Sequence, residues 1–121
     1  MKEEEYQKML NMLIEATETK KIVWDEEPNS KGAYSTNIGG CPVKIWKDYN
    51  FHTGEDSYTL VLANPDERVF STCSYSEGDG SEYYTQLSRL YLVISDVVYR
   101  ISESEKLILD GLKEMLGGKQ D

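Results

Sequence analysis

The strongest constraint on the fold is the pair Gly39-Gly40, set between two runs whose alternation agrees across it, Ala33 to Ile38 and Cys41 to Asp48. A two-residue glycine turn between alternating runs reads as a β-hairpin. The turn places Ile38 opposite Cys41, Thr36 opposite Val43 and Tyr34 opposite Ile45, and directly opposed residues of an antiparallel pair share a face. That face is the core side, and the other presents Ser35, Asn37, Lys44 and Trp46. A slip of one residue would exchange the faces, so the agreement of the two runs specifies the register.

Upstream, residues 3 to 19 carry Tyr6, Met9, Leu10, Leu13, Ile14 and Thr17 at spacings of three and four, one helical stripe backed by polar residues. Glutamates lead this helix and Lys20-Lys21 close it, an order that complements the macrodipole. Ile22-Val23-Trp24 forms a short apolar step, and Asp25 to Lys31, with Pro28 and Asn29, reads as a loop. Downstream, Tyr49 to Asp56 reads as a second loop. Ser57 to Leu62 then sets Tyr58, Leu60 and Leu62 on one face of a third strand, with Thr59 and Val61 on the other. Asn64-Pro65-Asp66 turns the chain into a fourth strand, Glu67 to Tyr75. Its inward face is either the set with Val69, Cys73 and Tyr75 or the set with Phe70.

From Ser81 onward Tyr84, Leu87, Leu90, Tyr91, Ile94, Val97, Val98 and Ile101 form a broad apolar helical face, capped by Asp79 with Glu82 or by Ser81 itself. Ser102 with Glu105 matches a second capping box. This predicts a break near residues 101 to 103 and a third helix through Leu116, ended by Gly117-Gly118. The expected architecture is a single two-layer α+β domain over residues 1–121: an N-terminal helix, a four-stranded antiparallel meander and two C-terminal helices.

The elements Lys21-Ile22-Val23-Trp24, the strands from Tyr34 to Tyr75 and the helix Glu82-Tyr83-Tyr84 to Arg100 give the chain a likeness to a known group. It resembles an uncharacterised family of small acidic bacterial and mobile-element proteins with a leading helix, a lysine-isoleucine-x-tryptophan step, a short meander and a tyrosine-led helix. The resemblance covers nearly the whole chain. It implies the fold but no reaction and no catalytic residue.

Thirteen Lys and Arg face 22 Asp and Glu, a formal charge of -9. Such a surface repels a phosphate backbone and an anionic membrane, so direct nucleic-acid and membrane binding are not expected; the charge either serves simple solubility or favours a basic protein partner. No run approaches the ~20 apolar residues that span a bilayer, and the N-terminus opens an acidic helix rather than a signal peptide, so the expected location is cytoplasmic. Cys41 and Cys73 fall in strands, where a reducing compartment would keep them as buried thiols.

Catalytic chemistry finds little support in the residue pattern. His52 is the only histidine, and neither a close cysteine pair nor a paired-histidine spacing accompanies it, so no metal site is expected. Glu77 to Glu82 is acidic and glycine-rich but lacks regular calcium-loop spacing. No GxxxxGK[ST] phosphate loop occurs. Adjacent carboxylates such as Asp25 with Glu26 or Asp66 with Glu67 read as solvated loop residues. The chain is therefore expected to be non-enzymatic and to hold no cofactor.

The more informative signal is the sheet face carrying Lys44, Trp46 and Val61, joined by Phe70 if that residue points outward. It leads toward the loop with Tyr49, Phe51 and His52. Exposed aromatics on a sheet face suggest an interface; the alternative is that Trp24, the following loop or the first helix covers them. Leu92 and Val93 lie outside the main stripe of the long helix, so that helix is expected either to be buried on more than one side or to contribute to a homodimer. The first reading is a protein-interaction module, an inhibitor or accessory factor, whose partner is a basic protein or a second copy. Acidic mimicry of nucleic acid is a variant of it. The alternative is binding of a nucleotide-like small molecule, stacked on Trp46, Tyr49 or Phe51 with Lys44 and Lys47 near its phosphate.

Overall fold

The computed structural model describes residues 2–117. Helix α1, Glu3–Glu18, buries Tyr6, Leu10, Leu13, Ile14 and Thr17, with glutamates at its positive end. It stops short of the lysine pair: Thr19 caps it and Lys20 follows in the left-handed region at φ 60°. Five strands come next: β1 Asp25–Glu27, β2 Ser30–Ile38, β3 Cys41–Asn50, β4 Glu55–Ala63 and β5 Val69–Ser76. They form one antiparallel sheet in sequential order.

The expectation of four strands is corrected by β1, which pairs with β2 through Asp25↔Ser35 and Glu26↔Tyr34 before a register shift at Glu27. Three acidic residues have poor strand propensity and no alternation, so nothing local announces this strand. Instead its turn is held from outside. The Glu26 carboxylate accepts from the Gly32 amide at 3.0 Å and from the Tyr99 hydroxyl, while the Tyr91 hydroxyl donates to the Gly32 carbonyl at 2.8 Å. Gly32 sits at φ +85°, and a Cβ there would come within 3.0 Å of the Tyr91 oxygen.

The central hairpin adopts the expected register, with Ile38↔Cys41, Thr36↔Val43 and Tyr34↔Ile45. Gly39 and Gly40 have φ of 60° and 82°, the two positive values that a primed turn requires. The second loop is shorter than expected, because Tyr49↔Asp56 and Asn50↔Glu55 extend the β3–β4 pairing into it. Pairing of Tyr58 with Tyr75 and Leu60 with Cys73 turns Tyr75 and Cys73 of β5 inward, against the core. A bulge between Leu62 and Ala63 then moves Val69 opposite Ala63, out of step with Cys73. Simple alternation failed to choose this face because the bulge changes parity within the strand.

Helix α2, Glu82–Tyr99, is capped by Ser81, whose hydroxyl accepts from the Tyr83 amide at 3.1 Å. It runs parallel to α1: Gln7 meets Glu82, Asn11 meets Gln86 at 3.1 Å and Glu18 meets Arg89 at 3.5 Å. Both helices cover one face of the sheet. Leu10, Ile45, Leu60, Leu87, Leu90 and Ile94 fill the space between the layers. Trp24 closes one end, its indole N–H donating to Thr17 Oγ1 at 3.0 Å, while that hydroxyl donates to the Leu13 carbonyl at 2.7 Å.

Helix α3, Ile101–Met115, begins after a single left-handed residue, Arg100, at φ 53°. The break therefore comes at Arg100, just before the expected span. Asp96, rather than the Ser102–Glu105 box, caps α3 by accepting from the Ser102 amide at 3.0 Å and its hydroxyl at 2.8 Å. Arg100 grips Glu103 through two N–H donors, at 2.9 and 2.6 Å. Gly117 follows α3 at φ 88°; Gly118 of the expected glycine pair lies outside the described residues.

Candidate functional site

The sheet face away from the helices carries two cross-strand rows. One is Ala33, Trp46, Thr59 and Ser74; the other is Ser35, Lys44, Val61 and Thr72. Thr59 and Ser74 hydroxyls bond at 3.0 Å, and Lys44 meets Glu27 of β1 at 3.2 Å. Neither Trp24 nor α1 covers this face; both belong to the core on the other side. Trp46 is half-buried among its neighbours and donates its indole N–H to Asp48 at 2.9 Å. The face is thus mostly polar, with Ala33, Trp46 and Val61 as the apolar members of these two rows.

Alternation separates the candidate residues that sequence proximity had grouped. Asp48 shares the face of Trp46, whereas Tyr49 falls on the opposite side with Lys47, near Asp56, its strand partner. Tyr49 and Phe51 contact each other edge to face at 5.0 Å, and Phe51 is 89% exposed at the loop tip. His52 is exposed beside them, its amide donating to Asn50 Oδ1 at 2.9 Å. Lys44, Trp46 and Val61 therefore form one surface, and Tyr49, Phe51 and His52 another. Lys47 pairs with Asp56 at 3.5 Å, so any phosphate beside Lys44 and Lys47 would compete with a carboxylate at each.

Phe70 belongs to neither group. It lines an apolar groove of about 490 Å³ between α1 and the glycine-turn end of the sheet, with Met9, Met12, Ile38, Cys41 and Leu62. The signal that would have found this groove is Met12, which lies off the buried stripe of α1 yet is as apolar as its members. Cys41 is half-buried here rather than inside the core, and Cys73 is half-buried on β5; both are free thiols.

A further exposed apolar surface lies on α3. None of its side chains is buried. Ile101, Ile108, Leu112 and Met115 recur at spacings of seven, four and three, a single stripe on a 3.6-residue helix, and Leu107 and Leu109 flank it. Ile108 is 63% and Met115 82% exposed. Sequence reading identified this helix but not its lack of a partner, because amphipathicity tells which face is buried and not which chain buries it.

Ionisable groups fit a structural role. Burial pushes the Tyr83 hydroxyl up to about 12, with Glu3 adding to the effect, and burial likewise raises Tyr91 to about 12, with Tyr34 adding. Burial, with Cys73 nearby, raises Tyr6 further still. The Tyr99 hydroxyl, followed by the Gly32 amide, lowers the pKa of Glu26. In the acidic connection to α2, Asp79 accepts from the Ser76 amide at 2.7 Å and Glu55 accepts from the Gly78 amide at 3.3 Å. Among the described residues no group of three or more His, Cys, Asp or Glu is placed to hold a metal ion, and no helix is long and apolar enough to cross a membrane. No family model, curated protein or solved structure matches this chain.

Proposed function

We propose that this chain is a non-enzymatic protein-interaction module of the cytoplasm, acting as an inhibitor or accessory factor. The observation that carries the reading is the uncovered apolar stripe of α3. An isolated 15-residue helix is marginal in water, and most helical stability in proteins comes from packing an amphipathic face. Covering the exposed parts of Ile101, Leu107, Ile108, Leu109, Leu112 and Met115 is worth roughly 5–10 kcal/mol, at ~1.5–3 kcal/mol per fully buried side chain and before association costs. Phe51 and Trp46 offer additional contacts on separate surfaces, and the charge of -9 favours a basic rim on a foreign partner.

Affinity capture from native lysate, with mass spectrometry of proteins and small molecules, tests this reading. Proteins retained by the wild-type chain should be lost with the double variant Ile108→Asp, Leu112→Asp while the circular dichroism of the fold persists. Capture that ignores these substitutions contradicts the role of α3. Recovery of a stoichiometric nucleotide-like compound instead favours small-molecule binding.

A further inference from the structure

We infer that α3 of one copy docks into the apolar groove between α1 and the glycine-turn end of the sheet in a second copy, reciprocally, closing a two-fold dimer. The inference rests on the reading of α3 as an interaction surface and names its occupant. Among the described residues α3 is an apolar helix with no buried side chain, and the groove beside α1 is an apolar groove with no helix in it. A two-fold axis satisfies both at once and leaves no open end for further growth.

The topology keeps α3 from its own groove. Residues Gln7, Asn11 and Glu18 turn one flank of α1 toward α2, whereas Met9 and Met12 turn the opposite flank toward the groove. At interaxial distances of roughly 8–10 Å per step, the groove lies two helix spacings from α2. The connector between α2 and α3 is Arg100 alone, held by Glu103, and one residue reaches only ~3.5 Å. Only a helix from another molecule can enter without melting that junction.

Size and chemistry match. The groove runs along α1 from Glu5 to Ala16, roughly 16 Å at 1.5 Å per residue, against about 21 Å for the stripe from Ile101 to Met115. Glu105 interrupts the stripe and Lys8 stands at the groove rim; neither has an ion-pair partner among the described residues. Docking brings Glu105 to the rim that carries Lys8, with Glu5 on the same rim. Gly111 occupies the interior of α3 although a Cβ there would meet nothing within 4 Å. Glycine weakens an exposed helix, and a close approach by a partner helix supplies the missing reason for it.

Native Cys41 in the groove provides the test. In a Cys73→Ser background, Ile108→Cys and Met115→Cys are made separately, oxidised, and mapped by mass spectrometry alongside sedimentation of the wild-type chain. The expected result is doubling of the 13.9 kDa mass and an interchain disulfide from Cys41 to the introduced thiol in at least one variant, abolished by Cys41→Ser. Disulfides only between two α3 thiols would overturn the groove as the site, and a Cys41 disulfide within one chain would overturn the exchange. A monomer at all concentrations would overturn the second copy as occupant yet leave the interaction-module reading intact, since that reading fails only if partner capture ignores α3.

Discussion

Leu90 and Leu112 are the same side chain in two different roles, and truncating each separates fold from interface. Leu90 on α2 is 0% exposed, so Leu90→Ala should cost ~2–5 kcal/mol through lost burial and a residual cavity. At about 4 °C per kcal/mol the melting temperature of the monomer should fall by roughly 8–20 °C. Leu112 is 50% exposed, so its own chain already gains about half of the ~1.5–3 kcal/mol that full burial supplies. Leu112→Ala should therefore cost the monomer only about 1 kcal/mol. The remaining half is realised on docking, once in each copy, and its loss should weaken the dimer by about 2 kcal/mol, or about 30-fold in Kd. Urea unfolding below the dissociation constant measures the first quantity, and a sedimentation-velocity dilution series measures the second. The reasoning is refuted if Leu112→Ala destabilises the monomer as much as Leu90→Ala does, or leaves the dimer Kd unchanged.

Thr17→Val keeps the shape of a fully buried side chain but removes the acceptor of the Trp24 indole N–H, so it should cost ~1–3 kcal/mol; an unchanged urea midpoint would contradict this. The tyrosines predict alkaline instability. Tyr83 and Tyr91 hold their protons to about 12 in the folded chain, whereas their ordinary value is 10.0, so above pH 10 the unfolded state binds fewer protons and stability falls toward pH 12. Phenolate absorbance combined with urea unfolding across that window checks the sign, and stability that does not fall there would disprove it.

The hairpin around Gly39-Gly40 was legible because its turn chemistry and the alternation on both sides are local properties that agree. The long helices were legible for the same reason, since a 3.6-residue stripe persists over several turns. Strand β1 was not, because its pairing depends on carboxylate and tyrosine contacts from an element more than seventy residues later in the chain. The inward face of β5 was ambiguous because a bulge changes parity beside Leu62 and Ala63. The candidate surface was legible only in part. Trp46 does lie on the helix-free face with Lys44 and Val61, but pleating sends Tyr49 to the other side. Phe70 joins a groove whose walls, α1 and the glycine turn, are distant in sequence. The apolar pattern of α3 was visible, while its lack of any buried side chain emerges only from the arrangement of the described residues.

The claim that α3 is stabilised by another molecule is tested most directly by amide hydrogen exchange across α3 as a function of protein concentration. Protection of residues 102–115 should rise with concentration while protection of α2 and the central strands stays constant, because an isolated helix of this length frays and a docked one does not. Protection in α3 that is strong at high dilution and independent of concentration and of added partner would contradict the account.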